Sequence, residues 1–279
     1  MYVNNHWLVV SEHVFESEKV PESFDGLRIV QISDLHDALF GDTQEKLIAK
    51  VKATQPDIIF ITGDVIDSNR YDLEQSLQAV QGLVELADVY YVLGNHEVAT
   101  NKVSEIYEAL SSLGVHIMAN ESTVLERNGE RLAIVGIEDP LMGRTTEEML
   151  NLATTYVPQD MLKLLLAHRP EVFNVYVASR IDLAFTGHAH GGQIRIPGLG
   201  GLVAPGQGML PKYTAGIYEG QETKMVVSRG LGNSTVPYRI FNLPEIVVME
   251  LKTKKEIVSI LRLSLFMLVN AMSDANSTF

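Results

Sequence analysis

The 279-residue chain contains no cysteine. That excludes disulfides and thiolate metal sites together, so any metal ion must be held by His, Asp, Glu or Asn. Positive charge is scarce as well: 22 Lys and Arg stand against 35 Asp and Glu, for a formal net charge of -13. A chain with that balance lacks the basic footprint of a protein held by phosphate backbones, and no nucleic-acid partner is expected. Bound divalent cations would reverse the sign locally. Repeats, low-complexity segments and a dividing Pro/Gly/Ser linker are missing too, as is a basic stretch followed by a long apolar one at the N-terminus. A signal peptide is therefore not read, and a cytoplasmic address is the default. The dense apolar run from Ile257 to Met272 carries Arg262 and Asn270 and falls short of the ~20 residues of a spanning helix.

What is present is 46% hydrophobic and 20% charged, the balance of a packed globular protein. One domain is expected over residues 1–254, followed by an apolar tail over 255–279. That tail either packs on the domain, meets a membrane surface or partner, or is an irregular extension. From Leu27 the chain alternates apolar strands ("LRIVQIS", "DIIFITG", "VYYVLGN") with amphipathic helices ("TQEKLIAKVKAT", "LEQSLQAVQGLVELA"). All-apolar strands between helices imply a parallel sheet covered on both faces. A hairpin is then predicted around Asn128-Gly129, followed by strands at "LKLLLAH", "IDLAFTG", "KMVVSRG" and "EIVVMEL". The architecture is α/β: a mixed sheet, or two stacked mixed sheets flanked by α-helices.

Five strands end in polar clusters: Ser33–His36, Gly63–Asp67, Gly94–Glu97, Ala167–Pro170 and Gly187–His190. Ligands of open α/β sheets bind outside the carboxyl ends of strands, so these clusters are expected to converge. Of eight histidines, His36, His96, His168, His188 and His190 lie in them, whereas His6, His13 and His116 do not and are read as structural or surface residues. With Asp34, Asp64 and Asn95 they form an oxygen and imidazole set suited to Mn, Fe or Zn, and too large for one ion. Two ions about 3.5–4 Å apart need a bridging carboxylate, each oxygen facing one cation. Asp64, central in chain order, is the expected bridge. Taken singly the residues have plainer readings: Asn95 as a turn residue, His168 closing a strand, Asp67 and Glu97 as helix caps or surface acids.

In this order D-x-H, G-D-x-x-D, G-N-H-E, a lone H and G-H-x-H resemble the calcineurin-like metallophosphoesterase family, over roughly Leu27 to Leu251. The resemblance implies two stacked β-sheets flanked by helices, and two divalent ions. One ion would be held by Asp34, His36, Asp64 and His190, the other by Asp64, Asn95, His168 and His188. It further implies that His96 faces the phosphoryl group and assists the leaving oxygen, with Asp67 orienting it. The implied reaction is hydrolysis of a phosphomonoester, phosphodiester or pyrophosphate bond by a metal-bound hydroxide, without a covalent enzyme intermediate. A nuclease or a non-catalytic scaffold on the same fold are the alternatives.

Serine/threonine phosphatases of this superfamily carry Arg directly after G-D-x-x-D, where this chain has Ser68, which argues against a phosphoprotein substrate. The stretches from Gly191 to Gly220 and from Ser228 to Ile246 are similar to a bacterial branch that includes UDP-diacylglucosamine pyrophosphohydrolases. A small-molecule or lipid-linked phosphate ester is therefore expected, with peripheral membrane contact as one option. Relatives often carry an N-terminal anchor or export signal, which would make the address membrane-associated or exported. The segment Gly198–Gly208 and the loop Asn233–Arg239 are expected to frame the pocket. Arg195, Lys212, Arg229 and Arg239 either hold phosphate or are solvated charges.

Overall fold

Alternation along each strand decides the layering. In the computed structural model, which describes residues 5–254 apart from Thr235, Ile29 faces one side of its strand and Val30 the other, and both are fully buried. Strands buried on both faces require a layer above and a layer below.

The first sheet contains β1 (Val9–Ser17), β2 (Arg28–Ile32), β3 (Ile58–Thr62), β4 (Asp88–Val92) and β5 (His116–Ile117), and the second begins with β6 (Glu121–Arg127), β7 (Glu130–Gly136), β8 (Lys163–Leu166) and β9 (Leu183–Thr186). Four two-residue strands follow as two small hairpins, β10 (Arg195–Ile196) with β11 (Gly200–Gly201) and β12 (Val203–Ala204) with β13 (Gly208–Met209). Then come β14 (Gly216–Gly220), β15 (Thr223–Val227) and β16 (Glu245–Thr253). The two main sheets have six strands each, in the orders β1-β16-β2-β3-β4-β5 and β14-β15-β9-β8-β7-β6. The run β2 to β5 is parallel, as is the run β7, β8, β9 and β15, with antiparallel pairs at β16/β2, β6/β7 and β14/β15.

The sheets stack through one apolar layer in which Ile29, Phe60, Val247 and Met249 of the first meet Ile134, Leu164, Leu166, Phe185 and Val226 of the second. Phe60 and Phe185 join edge to face across it, with ring centroids 5.0 Å apart. The outer face of the first sheet is covered by helices Glu45–Ala53, Leu73–Val84 and Val103–Ser112, through Leu47, Val51, Val80, Leu83, Ile106 and Leu110. Helices Thr146–Thr154 and Phe173–Ala178 cover the second through Met149, Leu150, Phe173 and Tyr176. Of the two architectures open at the sequence level, the molecule takes the stacked pair.

The β6–β7 turn has Asn128 at φ 52° and Gly129 at φ 82°, the pair of left-handed residues that a two-residue type I′ turn demands. Strands β1 and β14 and the helices Val103–Ser112, Thr146–Thr154 and Phe173–Ala178 have no counterpart in the sequence reading. The tail over 255–279 lies outside the described residues. Among the described residues no helix is long and apolar enough to cross a membrane.

Candidate metal centre

Five parallel strands, β2, β3 and β4 of one sheet and β8 and β9 of the other, deliver the five polar clusters to one place. Main-chain bonds prolong the ladder past the strand ends: the amides of Asp34 and His36 donate to the carbonyls of Gly63 and Asp64, both at 3.0 Å, and the Gly187 amide donates to the His168 carbonyl at 3.0 Å. Glycine permits the crowding. A Cβ on Gly63, at φ 88°, would lie 2.6 Å from the Gly94 nitrogen and 2.8 Å from His168 Nδ1; one on Gly187 would lie 2.4 Å from Asp34 Oδ2. The ligand candidates themselves carry backbone strain. Asp34, His36, Asp64, His188 and His190 all have φ between 47° and 63°, a region that costs a non-glycine residue on the order of 1–3 kcal/mol and persists where the surroundings enforce it.

Two groups of donor atoms share Asp64, and their Asp and His residues are all buried, whereas Asn95 beside the second is half-buried. In the first, His36 Nε2 lies 3.1 Å from His190 Nε2 and 3.7 Å from Asp64 Oδ2, and His190 Nε2 lies 3.4 Å from Asp34 Oδ1. In the second, His168 Nε2 lies 3.2 Å from Asp64 Oδ2, 3.1 Å from Asn95 Oδ1 and 3.1 Å from His188 Nδ1. Asp64 is thus common to both, but not through both oxygens as its sequence position led us to expect. Its Oδ1 accepts the His96 amide at 2.8 Å, which leaves Oδ2 alone to face the two groups.

The donor set fits divalent cations. Ring nitrogens 3.1 Å apart turn lone pairs toward one another unless a proton or a cation lies between them. Burial holds His36 down to about 3, and His188 and His190 well below the usual imidazole range, which favours the neutral ring that metals require. Burial, reinforced by the charge of Asp64, lifts the Asp34 carboxyl to about 6. His168 behaves differently: burial opposes its charge, yet Asp64 beside it lifts the ring to about 10 and is itself held well below the usual carboxylate range. A cation held by the second group would have to take the place of the proton that His168 shares with Asp64. The ring is also aimed, because its Nδ1–H donates to the Thr62 carbonyl at 2.8 Å and turns Nε2 inward.

His96 stands at the rim, its ring edge to face with His36 at a centroid distance of 4.5 Å. Its Nδ1 lies 3.1 Å from the Ser68 amide, 3.0 Å from the Ser68 hydroxyl and 3.5 Å from Asp67 Oδ1. Since a backbone N–H can only donate, Nδ1 accepts and the proton of the neutral ring sits on Nε2. Asp67 is engaged mainly by Asn69 and Arg70, with Arg70 Nε at 2.9 Å.

Glu97 is fully buried, and its carboxylate accepts the amides of Asp64, Val65, Ile66 and Gly94 at 2.7–3.2 Å. It is therefore an internal cap for the Asp64 loop rather than a surface acid. The four cations named from the sequence are all occupied. Arg239 is wholly buried and donates to the carbonyls of Arg229 and Gly232, Arg229 pairs with Glu245 at 2.9 Å, Arg195 donates to the Gly191 carbonyl at 2.9 Å, and Lys212 lies over the Tyr213 ring at 4.8 Å. Asn233 and Pro237 do line a cleft with His36, whereas Gly198–Gly208 builds the two small hairpins. His116 stacks on Tyr90 away from the site, at 4.7 Å between centroids. Two residues near the site carry no role in the sequence reading: Arg70, whose i,i+3 spacing from Asp67 is a local signal, and Asp139, whose partner Arg169 is 30 residues away.

Two stacked sheets bring an Asp and His cluster to their shared strand ends, a donor set suited to divalent cations. The profile of the calcineurin-like phosphoesterases matches residues 27–192, and the chain belongs to that family. It is 29% identical over 259 residues to an uncharacterized metallophosphoesterase, YkuE, of Bacillus subtilis, covering 90% of this chain and 88% of that one. It is also 29% identical over 232 residues to the phosphodiesterase YaeI of Escherichia coli, covering 80% and 82%. Against a transmembrane protein with metallophosphoesterase domain of Danio rerio it is 31% identical over 255 residues, yet spans only 55% of that protein's length. Among solved structures, the NAD nucleotidase NadN of Haemophilus influenzae superposes with a TM-score of 0.50 at 15% identity, over 74% of this chain and 45% of that one, a likeness of fold.

Proposed function

We propose that the chain is a two-metal phosphoesterase acting on a small-molecule phosphate ester. Asp34, His36, Asp64 and His190 hold one ion, and Asp64, Asn95, His168 and His188 hold the other. The observation that carries this reading is the single oxygen Asp64 Oδ2, which faces His36 Nε2 on one side and His168 Nε2 on the other. Bound divalent cations supply Lewis acidity and bring the pKa of water from about 15.7 toward neutrality. The chain's own residues do the rest. Asp64 sets the spacing of the two groups, and Gly63, Gly94 and Gly187 keep the approach close. As an imidazolium, with Asp67 Oδ1 and the Ser68 hydroxyl placed to accept from Nδ1–H, His96 would give its Nε2 proton to the leaving oxygen as the P–O bond breaks and return to the neutral ring. Asp67 stands behind His96 and stabilises the ring when it carries positive charge.

The test is metal content against turnover. Chelated protein should be inactive toward bis(p-nitrophenyl) phosphate, and Mn, Fe or Zn should restore activity in step with two bound ions per chain, counted by elemental analysis. Full turnover by the metal-free protein, or full activity at one ion per chain, would overturn the two-metal reading.

A further inference from the structure

Beside the metal centre lies a cleft of about 340 Å³, at the lower end of the ~300–1,000 Å³ range of small-molecule pockets. His36 forms part of its wall, and Arg70 is the one Lys or Arg among the residues that line it. The Arg70 guanidinium is held from two directions. Nε and Nη2 reach Asp67 Oδ2, and Nη2 also donates to the Asn233 carbonyl at 2.8 Å. Among the described residues none accepts from Nη1, and 60% of the side chain is exposed. The carboxylates of the cleft are engaged elsewhere: Asp37 accepts the Asp67 amide at 3.0 Å and the Ser76 hydroxyl, and Asp72 caps helix Leu73–Val84 through the Gln75 amide at 3.0 Å. The wall that orients Arg70 is itself fixed. Gly232 donates to the Asp34 carbonyl at 2.6 Å and accepts from buried Arg239.

A pinned guanidinium with one free pair of N–H groups, one carboxylate away from His96, is built to receive an oxyanion. We propose that Arg70 binds, through Nη1, a second phosphate of the substrate adjacent to the scissile one, so that the site favours compounds with two linked phosphates over those with one. The planar fork matches phosphate oxygens, and a side chain already held in place loses little freedom when it binds them. This assignment rests on the phosphoesterase reading above and names the substrate class that the cleft selects.

Calorimetry on the metal-loaded protein, with the cation at fixed excess and AMP and ADP as probes, isolates the contribution of one added phosphate. Wild type should bind ADP about tenfold to a hundredfold more tightly than AMP, the range for charge-assisted hydrogen bonds. Arg70→Ala should erase that preference while leaving AMP affinity within about threefold, since AMP brings no second phosphate for the guanidinium to bind. Arg70→Lys should keep part of it, because an ammonium retains the charge and loses the fork. Arg70→Gln, which can still donate to Asp67 or Asn233, should resemble Ala and covers the case in which Ala perturbs the loop. Equal affinity of wild type for AMP and ADP, or a preference that survives in the Ala and Gln variants, overturns the assignment. Failure of the phosphoesterase reading would show separately, as absent turnover of bis(p-nitrophenyl) phosphate by the metal-loaded wild type whichever nucleotide binds.

Discussion

The two halves of the centre are built by different means. In the first, Asp34, His36, Asp64 and His190 all adopt left-handed backbone, and the Nδ1 atoms of His36 and His190 meet no partner among the described residues. Packing and enforced φ angles aim these side chains, with Asn242 donating to the His190 carbonyl at 2.7 Å from behind. In the second, Asn95 opens a helix and His168 is tethered to the Thr62 carbonyl, with only His188 and the shared Asp64 at positive φ. An arginine underlies each half as well. Arg169 pairs with the buried Asp139 at 2.6 and 3.0 Å and extends to Glu171, whereas Arg239, among the described residues, donates only to carbonyls, and burial brings it down to about 10. Strain can hold a ligand as firmly as a hydrogen bond, but it leaves no partner atom to mutate. The halves should therefore respond differently to change.

The harshest way to erase the difference is to remove what the halves share. Asp64→Ala should empty or scramble both metal positions, so that metal content and rate fall together to the level of the chelated protein. If Asp64→Ala binds two ions and turns over normally, Oδ2 is not the bridge. The next effect lies outside both halves. His96→Ala should keep metal stoichiometry near wild type while kcat drops by about 10²–10⁴-fold, the usual worth of a positioned proton donor. Esters with a p-nitrophenolate leaving group should suffer less than alkyl esters, since that group departs with little help. Loss of metal, or an equal loss on both substrates, would make His96 a ligand or an electrostatic clamp instead.

Much of this was legible in the sequence because ligand placement and strand pattern reinforce one another. The apolar run Ile58–Ile61 within "DIIFITG" reads as a strand buried on both faces, and Asp64 follows directly where that segment ends. Illegible features have partners far along the chain. Val9 pairs with Glu245, so nothing near Val9 announces β1. The role of Glu97 depends on amides 31–33 residues earlier. Arg239 reads from the sequence as either a phosphate holder or a solvated charge, and only the fold turns the Arg229 and Gly232 carbonyls inward to meet it. Which Asp64 oxygen faces the two donor groups depends on the His96 amide, a contact that residue types alone do not encode.

The smallest expected effect separates the halves most sharply, because it acts through the arginines that support them. Asp139→Asn removes the carboxylate that holds Arg169 in place and leaves the guanidinium free to shift with Glu171, whose Oε1 stands 4.0 Å from His188 Nε2. Supporting residues of this kind are worth about 10–100-fold in metal affinity. Titrating metal-free protein with Mn should then show one ion bound as in wild type and the other weakened by that factor, with kcat recovered at saturating Mn. The companion change, Arg239→Met, removes the donors to the Gly232 and Arg229 carbonyls beneath Asp34 and His36, which costs about 1–3 kcal/mol of stability. It should weaken the ion that Asp139→Asn spares, so in the double variant each ion should be weakened by about the factor its own substitution gives, as separate sites do. If both substitutions weaken the same ion, or the double variant departs from additivity by more than about 0.5 kcal/mol, the two halves stand on one frame, and the contrast between strained and tethered ligands describes geometry without separate energetics.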